Sequence, residues 1–250
     1  MKTILTTAVL LFFAACAPKQ PALPDPITTT PETLQGAWEM VYNNRNYLII
    51  ADEHYFMFTE YDKAGKQFYY SFGGPYTLAP GRLTAKIQFN SADSSMVGRT
   101  MTYNILGNSE LMQTNLSGVK TEWDRVDKGN EHIAGNWRIT HLMRDGNLGN
   151  EMPLRARRTL KLLSGTKFQW AAINIETGAF SGTGGGSYTF KDGIYTENIE
   201  FFSRDNSRVG MSLSFTDTLR NAQWIHSGKT SQGAPMYEIW KKMDAKDHSQ

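Results

Sequence analysis

From about residue 34 to residue 243 the chain alternates apolar and polar residues in short runs broken by Gly, Asp and Asn. "LTAKIQFN" is the plainest: Leu83, Ala85, Ile87 and Phe89 are apolar, while Thr84, Lys86, Gln88 and Asn90 are polar. A period of two is that of a strand with one face buried, so Leu83, Ala85, Ile87 and Phe89 are expected to face a core. Turn signals such as Asp192-Gly193 and Arg204–Asn206 separate the runs. In the second half, strands are predicted to begin near Trp137, Thr159, Phe168, Phe180, Ser187, Ile194, Arg208, Ala222 and Met236. Helical periodicity is scarce, and 12% aromatics with 22 glycines fit an all-β body. Short strands in series close most simply into an up-and-down antiparallel barrel, which leaves no exposed edge.

The pattern is written twice. At an offset of 112 residues, Tyr47–Tyr103 lies over Thr159–Phe215 without a gap, matching Phe56/Phe168, Gly73-Gly74/Gly185-Gly186, Phe89/Phe201 and Val97-Gly98/Val209-Gly210. Upstream, Gly36–Trp38 matches Gly135–Trp137 at an offset of 99, so the second copy carries 112 − 99 = 13 extra residues, within Arg144–Arg158. Downstream, Trp123 matches Trp240. Two tandem barrels are therefore expected, at residues 34–127 and 130–243, followed by a polar tail at 244–250.

The N-terminus reads differently. "MKTILTTAVLLFFAAC" has an early Lys2, an apolar run too short to span a bilayer, and small residues before Cys16. Phe13-Ala14-Ala15-Cys16 resembles a bacterial lipobox. The resemblance implies a signal peptide over residues 1–15, lipidation of Cys16 and anchoring to the outer membrane, with the side of that membrane left open; an ordinary signal peptide with an incidental cysteine is the alternative. Residues 16–33, rich in proline, read as an extended tether. Cys16 is the sole cysteine, so no internal disulfide is available. A net charge of +2 offers no electrostatic case for nucleic acid.

Gly-x-Trp opening each copy, with a basic residue just after the Trp of each last strand, resembles the calycin superfamily, lipocalins and their relatives. "KLLSGTKFQW", "GTGGGSYTF" and "ENIEFFSRDNSRVG" of the second copy are similar to lipocalin-like domains of unknown function in secreted bacterial lipoproteins. The resemblance implies that Trp38 meets Arg125 and Trp137 meets Lys241 or Lys242 at the closed end of each barrel, and that the loop between the first two strands lids the open end. It implies no established activity.

Residues that differ in kind between the copies are the candidates for function. Glu197 stands on the predicted inward face, where the first copy has Ala85; it is read either as a contact for a ligand's polar group or as a core acid with a partner. Its neighbours Tyr195, Ile199 and Phe201 are expected to share that face, and Glu200 to be solvated. Gly182 and Gly184 replace Tyr70 and Phe72, opening a space near Phe168 and Trp170 unless repacking or a glycine-marked bulge absorbs it. Arg144, Arg155, Arg157 and Arg158 of the insertion are read as a solvated loop or as anion-steering. Arg204, Arg208 and His141 complete the candidate ligand-binding set.

No nucleophile and base stand at motif spacing. Ser164–Lys167 fits Ser-x-x-Lys but falls in a predicted hairpin turn. No catalytic residue, metal site or cofactor is assigned. Three readings remain: a lipid-anchored envelope protein binding a small hydrophobic or amphipathic ligand in its second barrel, an interaction module docking an envelope protein partner through aromatics such as Phe202, and an enzyme of unfamiliar type around Glu197.

Overall fold

The computed structural model describes residues 33–249 except 119 and 231. The signal peptide, Cys16 and all but the last residue of the tether lie outside the described residues. In the first copy the strands are β1 (Gly36–Tyr42), β2 (Arg45–Ala51), β3 (Tyr55–Asp62), β4 (Gln67–Ala79), β5 (Arg82–Lys86), β6 (Phe89–Asn90), β7 (Thr100–Gly107), β8 (Leu111–Thr114) and β9 (Thr121–Asp127). In the second they are β10 (Gly135–Arg144), β11 (Asn147–Leu148), β12 (Arg157–Leu163), β13 (Lys167–Asn174), β14 (Phe180–Lys191), β15 (Ile194–Phe202), β16 (Ser212–Arg220), β17 (Gln223–Lys229) and β18 (Pro235–Lys242). Each copy is a closed, eight-stranded antiparallel barrel of up-and-down order, sealed by β1 against β9 and by β10 against β18, with β6 and β11 as short additions. Phe180 and Ser187, predicted to start separate strands, belong to one strand. Arg208 lies in the short helical turn before β16.

The repeat holds at the level of register. Leu48↔Thr59 recurs as Leu160↔Ala171, Phe58↔Phe72 as Trp170↔Gly184, and Leu83↔Tyr103 as Tyr195↔Phe215. The turn after β6 recurs after β15: Asp93 accepts from Ser95 N, and Asp205 accepts from Ser207 N. Each barrel also closes on a tryptophan. Trp38 donates its indole N–H to Leu34 O while the Arg125 guanidinium lies 4.1 Å over its ring. Trp137 donates to Ile133 O, and Lys242, 5.9 Å from that ring, donates to Ala134 O.

The glycine pairs mark a bulge. Gly185↔Phe201 is followed by Gly186↔Ile199, which leaves Glu200 unopposed, and the first copy breaks at the same place between β5 and β6. A Cβ on Gly74 would lie 2.0 Å from Lys86 O and one on Gly186 2.1 Å from Asn198 O, so only glycine admits this approach. A one-residue slip exchanges the faces of a strand. Leu83, Ala85 and Ile87 face the first interior as expected, and Tyr195 and Ile199 the second, but Phe89 and Phe201 face outward.

Outward-facing residues of both copies form a third core between the barrels, including Leu48, Ile50 and Met57 against Leu160, Leu162 and Ala171. The packing is nearly twofold: Phe68 meets Phe201 at 6.5 Å, and the counterpart pair Phe180 and Phe89 meets at 6.1 Å. Polar groups in this layer are matched. Gln169 accepts from Thr59 Oγ1 and donates to Ser71 and Thr183. Glu200, expected in solvent, is buried by the same slip. It accepts from Tyr61 Oη (2.9 Å) and pairs with Lys63 (3.1 Å) and Lys167 (3.3 Å). Burial pushes its carboxyl up, but Lys167, Lys63 and Tyr61 together hold it below the usual carboxylate range.

Because the Phe201 ring packs on Tyr61 and Phe68 of the first barrel, Phe201→Ala should lower stability by about 3–5 kcal/mol. Urea denaturation of the full chain checks this; a loss below about 1 kcal/mol would show that the shared layer contributes little.

Candidate functional site

Inside the second barrel the side chains that differ from the first copy converge. Ile49, Ala85, Ile105 and Thr114 of the first copy become Lys161, Glu197, Asp217 and His226. Registers agree: Tyr76↔Ala85 recurs as Tyr188↔Glu197, and Ile105↔Thr114 as Asp217↔His226. All four polar side chains are buried.

Lys161 Nζ pairs with Glu197 Oε1. Its ammonium stands among the rings of Trp224, Tyr195, Phe168 and Trp240, at 5.0, 5.1, 5.4 and 5.8 Å from their centroids. Next to it, Trp224 Nε1 donates to Asp217 Oδ2 (2.6 Å) and His226 Nδ1 lies 2.8 Å from Asp217 Oδ1. Burial raises the Asp217 carboxyl to about 7, against the pull of Trp224 and Lys161. Burial, reinforced by the Lys161 charge, pushes His226 well below the usual imidazole range. Glu238 is likewise raised by burial and accepts from Trp240 Nε1 at 3.0 Å. When Nδ1 is held by Asp217, the other ring nitrogen of His226 remains for a ligand.

Above this cluster is a cavity of about 230 Å³. Its wall combines the Lys161, Glu197, His226 and Glu238 side chains with apolar groups such as Ile199, Leu213, Phe215 and Met236. In the first barrel the rings of Phe58, Tyr70, Phe72 and Tyr103 pack together, with centroids 4.9–6.1 Å apart.

The predicted set divides. Glu197, Trp170 and Arg208 line the cavity. Tyr195 and Phe168 lie outside its wall, fully buried in the aromatic layer around Lys161. Gly184 lies under Trp170 and Phe202, whose atoms would approach its Cβ to 2.8 Å; the two rings cover the space left by Phe72. Phe202 is half-buried and lines the cavity. Gly182 lies under Arg204, whose guanidinium donates to Ser181 O. His141 follows a bulge at Thr140, bonds that residue's Oγ1 at 3.0 Å, and lies outside the cavity wall. Ser164 occupies the predicted turn, where Asp127 accepts from its hydroxyl and from Thr166. The insertion runs along the barrel mouth, where Arg144, Arg155, Arg157 and Arg158 join Arg138 and Arg204 around a cleft of about 800 Å³. Among the described residues no group of three or more His, Cys, Asp or Glu side chains is placed to hold a metal ion.

Removing one partner of a buried ion pair leaves the other charge uncompensated, at about 3–5 kcal/mol. Lys161→Ile should therefore destabilise strongly, whereas Lys161→Ile/Glu197→Ala, the first copy's own residues, should recover most of the loss. Urea midpoints of the two variants read the difference, and equal losses would mean that the pair is not coupled.

No family model matches the chain and no curated protein matches it. A search of solved structures finds similarity to the crystal structure of an uncharacterized protein from Bacteroides eggerthii DSM 20697, at 14% identity and a TM-score of 0.30; the match covers 43% of this chain and 98% of that one.

Proposed function

We propose that this is a lipid-anchored envelope protein whose second barrel binds a small hydrophobic or amphipathic ligand. The observation that carries the binding reading is the cavity beside Glu197, apolar along most of its wall and charged at one pole. A cavity of about 150 Å³ lined by apolar side chains is enough to take up benzene, so about 230 Å³ admits a somewhat larger apolar group. Its burial against Trp170, Phe202 and Phe215 supplies affinity, and the Lys161–Glu197 and His226 pole orients one polar atom. The anchoring reading rests on the lipobox-like Phe13–Cys16 and the proline-rich stretch after it.

Leu213, half-buried in the cavity wall, offers the test. Leu213→Trp should fill the space and weaken binding of the neutral fluorophore N-phenyl-1-naphthylamine by roughly tenfold or more, about 1.4 kcal/mol, with little change in thermal midpoint. Unchanged affinity would place the probe elsewhere and sink the cavity reading. Separately, Cys16→Ser should move the chain from the membrane fraction to the soluble fraction of its own cells; continued sedimentation with membranes would refute the lipid anchor.

A further inference from the structure

The cleft at the mouth of the second barrel has a composition that the barrel does not require. Six arginines face it, Arg138, Arg144, Arg155, Arg157, Arg158 and Arg204, against two acids, Glu151 and Glu238. Neither acid pairs with Arg144, Arg155 or Arg157. Glu151 is more than half exposed and its carboxylate lies 3.9 Å from Arg138. Glu238 is tied to the Trp240 indole. Arg144, Arg155 and Arg157 make no side-chain hydrogen bond or ion pair among the described residues. Arg138 and Arg158 are largely buried, and burial together with the Arg138 charge lowers the Arg158 pKa against the opposing influence of Tyr55, Asp247 and Glu176. Like charges gathered this closely favour an anion between them.

The cleft is also built rather than incidental. Arg138 Nη1 donates to Met152 O at 2.6 Å and Met152 N to Thr140 O at 2.7 Å, which fastens the insertion to β10. Ile175 N to Ala156 O, 3.1 Å, fastens its far end beside β13. Arg158 Nε donates to Arg155 O at 2.7 Å. The arginines are thus presented by a fixed backbone, and only their side chains remain to be ordered on binding. In the first copy the insertion is absent, Arg138 is Glu39 and Arg204 is Ala92.

Thr159, Glu238 and Trp240 belong to both the cleft wall and the cavity wall, so the two spaces adjoin. We propose that the arginine cleft is an anion-binding subsite, and that the ligand is a single-tailed amphiphile whose carboxylate or phosphate head lies among the arginines while its tail enters the barrel cavity. This rests on the ligand-binding reading above and adds the chemistry of the head group. Guanidinium forks match the paired oxygens of both heads. The small cavity leaves room for one short tail, along Ile199, Leu213, Phe215 and Met236.

The test compares octanoate, octyl phosphate and octanol binding to the full chain by calorimetry. Arg155 and Arg157 are exposed, so Arg155→Ala/Arg157→Ala leaves the fold intact, and Arg82→Ala/Arg99→Ala in the first copy removes the same charge elsewhere. Both anions should bind roughly tenfold or more tighter than octanol at low salt, the advantage shrinking as salt rises. The Arg155/Arg157 variant should lose that advantage while keeping its octanol affinity, and the control variant should keep both. Equal affinity for octanol and octanoate in the unaltered chain overturns the proposal, as does a preference that survives the double variant. If octanol does not bind at all, the cavity reading of the preceding section falls. Inorganic phosphate then decides the cleft: an affinity that the double variant abolishes supports the anion subsite, and no affinity overturns it.

Discussion

The arrangement depends on one backbone constraint: the close strand approach at Gly74 and Gly186. A Cβ there would strike the carbonyl of the neighbouring strand, so glycine permits a bulge that a larger residue would push out of register. By slipping one residue, the bulge divides a single strand between two jobs. Its first half serves its own barrel through Ala85 and Ile87, or Glu197 and Ile199. Its end serves the other barrel through Phe89 or Phe201. Without the slip, the Phe rings would enter the interiors and the layer joining the copies would lose its stacked pairs.

That joint relieves the interiors of part of the stabilising role. Three cores hold the chain, and the shared one carries Leu160, Leu162 and Ala171 of the second copy on the outer faces of β12 and β13. Buried charge inside a barrel is costly to desolvate, yet the second interior accepts Lys161, Glu197, Asp217, His226 and Glu238. Close pairing, Trp224 and Trp240 as indole donors and four rings about the ammonium offset that cost. The first interior keeps Ile49, Ala85, Ile105 and Thr114 at four of these positions and stacks aromatic rings. One barrel is built for packing; the other maintains a polar pole beneath a space.

The offset between the copies that marks Glu197 marks Lys161, Asp217 and His226 as well. Lys161 interrupts Leu160 and Leu162, and because those two leucines face the other barrel, the lysine between them must face its own interior. Asp217 and His226 become visible once the offset of 112 is continued past residue 103 to residue 114. At Gly184 a missing side chain would leave a hollow only if no neighbour could reach it, and Trp170 with Phe202 can. Strict alternation carried through the bulge places Glu200 in solvent; the slip of one residue buries it.

By itself the sequence determined the all-β class, the duplication and the inward direction of Glu197. These follow from strand periodicity and from a register that both copies share. Tertiary structure decided which apolar faces meet between the barrels, which partner neutralises Glu197, and where the insertion's arginines gather. Those depend on side chains brought together from strands far apart in the chain, and on a slip of one residue that composition leaves open and only packing resolves.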